Sequence, residues 1–185
     1  MAITTLDPKT ALIVIDLQKG ITGRETAHPM ADVVRKSADM AAAFRKHDLP
    51  VVLVNVTGGA PGRNEGPKMP ASFPPEFAEL VPELNAQPSD HRVTKRTWGA
   101  FTGTGLEFWL KNANVTQVVV CGVATSIGVE STARYAQECG FNVTLAVDAM
   151  TDMSGEAHDN SVARIFPRLG ETGSAADVIA KLDQR

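Results

Sequence analysis

Asp16 closes an apolar run, ALIVID, that ends in a carboxylate. A carboxylate leaving so apolar a segment is partly desolvated and needs a cation or hydrogen-bond donors. The plainer alternative is an Asp that caps the following loop. Lys95 ends a shorter segment, RVTK, and could meet Asp16 across a cleft, where opposite charges favour each other's ionised forms. Alternatively it is a solvated surface lysine, as most lysines are. Its neighbour Arg96 should point to the opposite face. A third stretch, GVATSIGVESTAR at 122–134, runs from a strand into a helix whose first turn holds Ser126, Ile127 and Gly128. Backbone N–H groups and the positive end of the helix dipole converge there, where an oxyanion or a substrate carboxylate would be held. Gly costs roughly 1 kcal/mol against Ala within a helix. Either a closely approaching ligand or tight helix–sheet packing accounts for Gly128. Trp98 and Phe101, just after Lys95, offer apolar walls for a pocket, or else belong to the core or a subunit interface.

Other chemistry finds little support. Cys121 lies inside an apolar strand and Cys139 near a helix end, with no histidine beside either, so both read as small buried hydrophobes. His28, His47, His91 and His158 are scattered, without HxH or HExxH spacing, so no metal site is expected. There is no GxGxxG, GxxxxGK(S/T) or GxSxG, and Ser126 and Ser131 have no triad setting.

These residues must be positioned by alternating strands and helices. Residues 11–16, 50–56 (PVVLVNV), 92–95, 117–122 (QVVVCG) and 141–147 (FNVTLAV) read as strands, with a short one near 171–172. Helices are expected over 30–47, 104–112, 126–139, 154–169 and 174–182, with Pro29 near the start of the first. Gly140 fits the position that ends a helix, Ser154 fits an N-cap, and Pro167 should trim or bend its helix. Between 58 and 75 the chain is dense in Gly and Pro, which predicts a long loop serving as a lid or a subunit contact. The alternation implies parallel βαβ units with right-handed crossovers. Ligands then sit beyond the carboxyl ends of the strands, which singles out Asp16, Lys95, the segment after Gly122, and Asp148.

Composition narrows the class further. The 185 residues suffice for a single domain spanning 1–185, and the 43% hydrophobic and 21% charged content is that of a globular protein. A net charge of -3 with no basic block argues against nucleic acid as a partner. No apolar run approaches the roughly 20 residues of a membrane span. The start, MAITTLDPKTALIVIDLQ, does not read as a signal peptide, and two cysteines are too few for a disulfide framework, so a cytoplasmic protein is expected.

Three stretches in order, ALIVIDLQKG, VTKRTWGAFTGTGLE and VVVCGVATSIGVESTARYAQECGFNVTLAVDA, resemble the isochorismatase-like hydrolases over nearly the whole chain. The resemblance implies an α/β fold: a three-layer α-β-α, Rossmann-like arrangement around a six-stranded, mostly parallel sheet. It also implies a site of an Asp, a Lys and a Cys. The Asp matches Asp16, the Lys matches Lys95, and the cysteine's place is taken by Gly128. Without that nucleophile the acyl-enzyme route is closed. True isochorismatases, which resemble this chain in having Gly there, cleave a vinyl ether and release pyruvate with the Asp as proton donor. The resemblance therefore implies Asp16 as acid/base and Lys95 as its partner, acting on a small carboxylated, isochorismate-like substrate. Gln18, Trp98, Phe101, Thr125, Gly128 and Val129 are the expected substrate-binding residues. It implies no cofactor, a homo-oligomer (dimer or tetramer), and a cis non-proline peptide near Val123–Ala124. Isochorismate-specific members carry Tyr-Ala-His-Ile-Gly-Cys where this chain has Ala124-Thr125-Ser126-Ile127-Gly128-Val129. Their polar contacts have only Arg63 as a substitute in the 58–75 loop, and the Asp/His metal ligands of the amidase branch have no counterpart in 55–75. Two alternatives stay open: a C–N hydrolase in which water activated by Asp16 replaces the cysteine, and a non-catalytic binding protein that kept the fold.

Overall fold

The computed structural model describes residues 3–66 and 72–184. Six strands form one sheet in the order β3-β2-β1-β4-β5-β6, and every neighbouring pair is parallel. The strands are β1 (Thr10–Ile15), β2 (Val51–Val56), β3 (His91–Lys95), β4 (Gln117–Val123), β5 (Asn142–Thr151) and β6 (Glu171–Gly173). The β-branched runs make the central strands, and every residue of β1 and β4 is buried, as a sheet covered on both faces requires.

Among the described residues seven α-helices accompany the sheet: α1 (Lys19–Thr22), α2 (Met30–Lys46), α3 (Leu106–Asn112), α4 (Glu130–Glu138), α5 (Gly155–Asn160), α6 (Phe166–Leu169) and α7 (Ala175–Leu182). Strand alternation splits the core in two. Leu12 and Val14 join Met40 and Phe44 of α2 and Val178 of α7 on one face. Ala11, Ile13 and Ile15 join Leu106 and Leu110 of α3, Ala133 of α4 and Phe166 of α6 on the other. This is a three-layer α-β-α architecture. The chain moves outward from β1 to β2 and β3, then returns to β4 on the other side of β1. The crevice at that reversal, beyond the carboxyl ends of β1 and β4, is where such sheets bind ligands.

Several elements depart from expectation. β5 continues to Thr151, past the expected end at Val147. Asp148 is thus inside the strand, paired with Lys36 at 3.0 Å and accepting from the Ala175 N–H, rather than at its carboxyl end. Two of the expected helices carry π turns: the one after β4 begins with one, at Thr125–Val129, and the one over 154–169 is split by one, at Ser161–Ile165. Pro167 sits in the first turn of α6, where its missing N–H is tolerated. Of the 58–75 loop, residues 67–71 lie outside the described residues. Its neighbouring part forms 3₁₀ turns at Pro75–Ala78 and Pro82–Leu84. No helix among the described residues is long and apolar enough to cross a membrane.

Candidate active site

Asp16 follows the last residue of β1 in a left-handed conformation, φ 52°. This turns its side chain out of the sheet's regular alternation towards the end of β3. Lys95, the last residue of β3, donates from Nζ to Asp16 Oδ2 at 2.7 Å and to the Thr97 carbonyl at 3.1 Å. The two residues are 6% and 2% exposed. Asp16 Oδ1 is buried without a hydrogen-bond partner among the described residues. Burial pushes the Asp16 carboxyl up to about 6, and the charge and hydrogen bond of Lys95 pull only partly the other way. The carboxyl therefore keeps its proton to a higher pH than an ordinary aspartate does.

β4 closes the site from the other side. At Gly122, φ +112°, a Cβ would lie 2.1 Å from the Ile15 carbonyl oxygen, so only glycine allows β4 to pass this close to the end of β1. The Val123–Ala124 peptide that follows is cis. The chain then enters the π turn, in which Val129 N–H donates to the Ala124 carbonyl at 3.1 Å. Such turns are rare and often mark functional sites. The turn brings Gly128 against the carboxylate: a Cβ there would lie 3.5 Å from Asp16 Oδ2 and 3.0 Å from Ile15 Cγ2. Gly128 thus borders the acid, and any side chain would crowd the space beside it.

A polar network that sequence reasoning missed holds this turn. Ser126 donates from both N and Oγ to Asp152 Oδ2, each at 2.8 Å. Thr125 Oγ1 and His158 Nδ1 lie 2.8 Å apart, and the His158 ring stands 4.5 Å from that of His28. Burial, and then His28, hold His158 below the usual histidine range. Thr132 donates to the Gly128 carbonyl at 2.6 Å and accepts from Ala100 N–H, tying the turn to the segment after β3. The available signal was a carboxylate, Asp152, two residues before the Ser154 N-cap. The expected strand end at Val147 drew attention to Asp148 instead.

The structure distributes the other expected residues unevenly. Gln18 is fully buried, and its amide is committed to backbone: Nε2 donates to the Val56 and Phe77 carbonyls, while Oε1 accepts from Val56 N–H at 2.7 Å. It fastens β2 and the 3₁₀ turn beside Asp16 and has no hydrogen-bonding atom to spare. Phe101 is a core residue, stacked on Tyr135 and tilted against Phe141. Trp98, 63% exposed, faces solvent. Val129 packs into the core beneath α4, and Thr125 is fully buried with its hydroxyl on His158. Gly128 alone of the expected substrate-binding residues borders the Asp16 carboxylate without being spent elsewhere. Cys121 points into the α2 face beside Ser37, its thiol pushed up to about 12 by burial, and Cys139 ends α4 beside Glu107. Neither lies at the pair. Arg63 belongs to the irregular stretch after β2 and is exposed. Among the described residues no three His, Cys, Asp or Glu side chains converge as a metal site would require.

Comparison with known proteins identifies the family of the chain. The isochorismatase domain model matches residues 10–177. The chain belongs to the isochorismatase family. Its membership makes it a hydrolase, as the names of its relatives also indicate. YecD of Escherichia coli O157:H7, an uncharacterized isochorismatase family protein, is 41% identical over 182 residues, covering 94% of this chain and 96% of its own. Streptothricin hydrolase of Streptomyces noursei is 34% identical over 140 residues, which is 75% of this chain and 48% of that protein. A solved isochorismatase family protein from Burkholderia thailandensis superposes with a TM-score of 0.94 at 41% identity, covering 98% of this chain and all of that one.

Proposed function

We propose that this isochorismatase-family chain hydrolyses a small carboxylated vinyl ether, with Asp16 as general acid and Lys95 as its partner. The observation that carries the reading is the buried Asp16 Oδ1, without a partner, on a carboxyl pushed up to about 6 while Oδ2 is held by Lys95. A general acid should be neutral near the operating pH and should aim its proton at the substrate. Oδ1 is the oxygen free to carry that proton.

The chemistry then runs without a covalent enzyme intermediate. Oδ1–H protonates the methylene carbon of the enol ether, forming an oxocarbenium ion and leaving the Asp16 anion, which Lys95 stabilises at 2.7 Å. Water adds to the cationic carbon, and its proton returns to Asp16. The resulting hemiketal collapses to an alcohol and a 2-keto acid, pyruvate when the ether is an enolpyruvyl group. Gly128, in the place of the family cysteine, leaves room for that water beside the carboxylate. The test is to incubate the protein with isochorismate and with a panel of small amides. Pyruvate without ammonia is the expected result.

A second reading, C–N hydrolysis by water activated by ionised Asp16, is favoured by the 34% identity to streptothricin hydrolase. Ammonia or amine release without pyruvate would establish it in place of the first. Ligand binding with no turnover of either substrate class would point to a protein that kept the fold for binding alone.

A further inference from the structure

The Asp16–Lys95 pair holds a charge balance that bears on how substrate binds. With Asp16 ionised the pair is neutral. Lys95 spends two of its three N–H donors on Asp16 Oδ2 and the Thr97 carbonyl, and the third has no acceptor among the described residues. Asp16 Oδ1 has no donor. A spare donor and a spare oxygen thus belong to one buried pair.

The surroundings contribute no other charge. Lys95 is the one charged group acting on Asp16 among the described residues. On α1, Lys19 is engaged at the surface by Glu79. Beyond β3, Arg96 lies over Gly58, and its Nε would be 3.3 Å from a Cβ there. The π turn presents Gly128 and the end of β4 presents the Val123 carbonyl, both uncharged. A substrate carboxylate placed against Lys95 while Asp16 is ionised would set two negative charges against one cation in a site shielded from water. Like charges sharing such a site do not both stay ionised. Protonating Asp16 removes the conflict and leaves one positive charge for one carboxylate.

We propose that the pair takes up one substrate carboxylate and one proton together, so that the anion itself loads the acid which the reaction then spends. The proposal rests on the vinyl-ether reading for its substrate class. The proton comes from solvent and forms the O–H bond on Oδ1, while Oδ2 continues to accept from Lys95. A substrate analogue lacking the carboxylate fails twice, losing the contact to Lys95 and leaving the acid unloaded.

The experiment follows Asp16 itself and needs no turnover. In protein labelled with 13C at the aspartate carboxyls, the Asp16 signal is assigned by its loss in Asp16→Asn. It is titrated from about pH 4 to about pH 9 with and without saturating pyruvate, a stable carboxylate probe. The midpoint should rise by about one pH unit or more when pyruvate is bound. Pyruvate affinity should fall by up to about tenfold per pH unit between the midpoint of the free protein and that of the complex, and level off above it. In Lys95→Met the pyruvate effect should vanish, and in Lys95→Arg it should persist. A midpoint unmoved by bound pyruvate, an affinity flat with pH, or no pyruvate binding at any pH overturns the proposal. The wild-type titration decides the matter even if the Lys95 variants fail to fold. Pyruvate release from isochorismate is assayed separately. Proton-linked binding without release sinks the vinyl-ether reading and leaves the coupling standing; release without proton-linked binding does the reverse.

Discussion

Asp16 changes charge at about pH 6, so pH decides what this residue can do. Asp16→Asn, which cannot give up a proton, should lower pyruvate release about 10²–10⁴-fold, measured as kcat/KM on isochorismate. In the wild type, kcat/KM should fall as pH rises through about 6, where the free enzyme loses its acid. A kcat profile falling at higher pH than kcat/KM would show that the bound substrate holds the proton in place. The same displacement acts on stability. The folded carboxyl titrates at about 6 against an ordinary 3.8, so the fold favours its protonated form. Its stabilising contribution is complete below 3.8 and is lost as pH rises through about 6. The stability of wild type minus that of Asp16→Asn, from urea unfolding, should therefore drop by on the order of 2–3 kcal/mol between those limits. A flat difference would mean that Asp16 titrates normally.

Gln18 shows how an element, rather than a single group, keeps the site in shape. Its amide closes the end of β2 and anchors the Pro75–Ala78 turn through the Phe77 carbonyl. Gln18→Ala strands the Val56 N–H and the Phe77 carbonyl and should cost about 2–4 kcal/mol in urea unfolding. Gln18 was expected among the substrate contacts alongside the family resemblance, and nothing in its type reveals that backbone groups from distant segments converge on it. The strands themselves were legible, since runs such as VVLVNV and QVVVC suit only a sheet covered on both faces. Asp16 and Lys95 were legible for a related reason: each stands at the carboxyl end of a strand, and the parallel order brings those ends to one edge of the sheet. The π turn was not. TSIGV continues into ESTAR with ordinary helical composition, and the wider turn arises from the contacts of Thr125 with His158 and Ser126 with Asp152. For Trp98 and Phe101 the residue type left the surroundings open, because an aromatic ring suits a pocket wall, a core or an open surface equally well; packing against Tyr135 and Phe141 puts Phe101 in the core and leaves Trp98 exposed.

At the scale of the whole molecule, the sheet's reversal between β1 and β4 accounts for why one crevice collects the chemistry. The contact at its centre, Lys95 on Asp16, joins residues 79 positions apart in sequence. The resemblance to a family of dimers and tetramers adds an expectation: equilibrium sedimentation should give a multiple of the chain mass. A single-chain mass at micromolar concentration would remove it.

β3 is an edge strand, bonded to β2 alone, and it delivers Lys95. Edges fray before centres, because half of their ladder is missing and opening them exposes little core. Native-state hydrogen exchange should therefore show the amides of His91–Lys95 opening at lower free energy than those of β1 and β4. At denaturant concentrations that leave the central strands β1 and β4 protected, catalysis should already be fading, and it should return on dilution. Catalysis in this enzyme would then end through the quiet withdrawal of one cation, well before the protein melts.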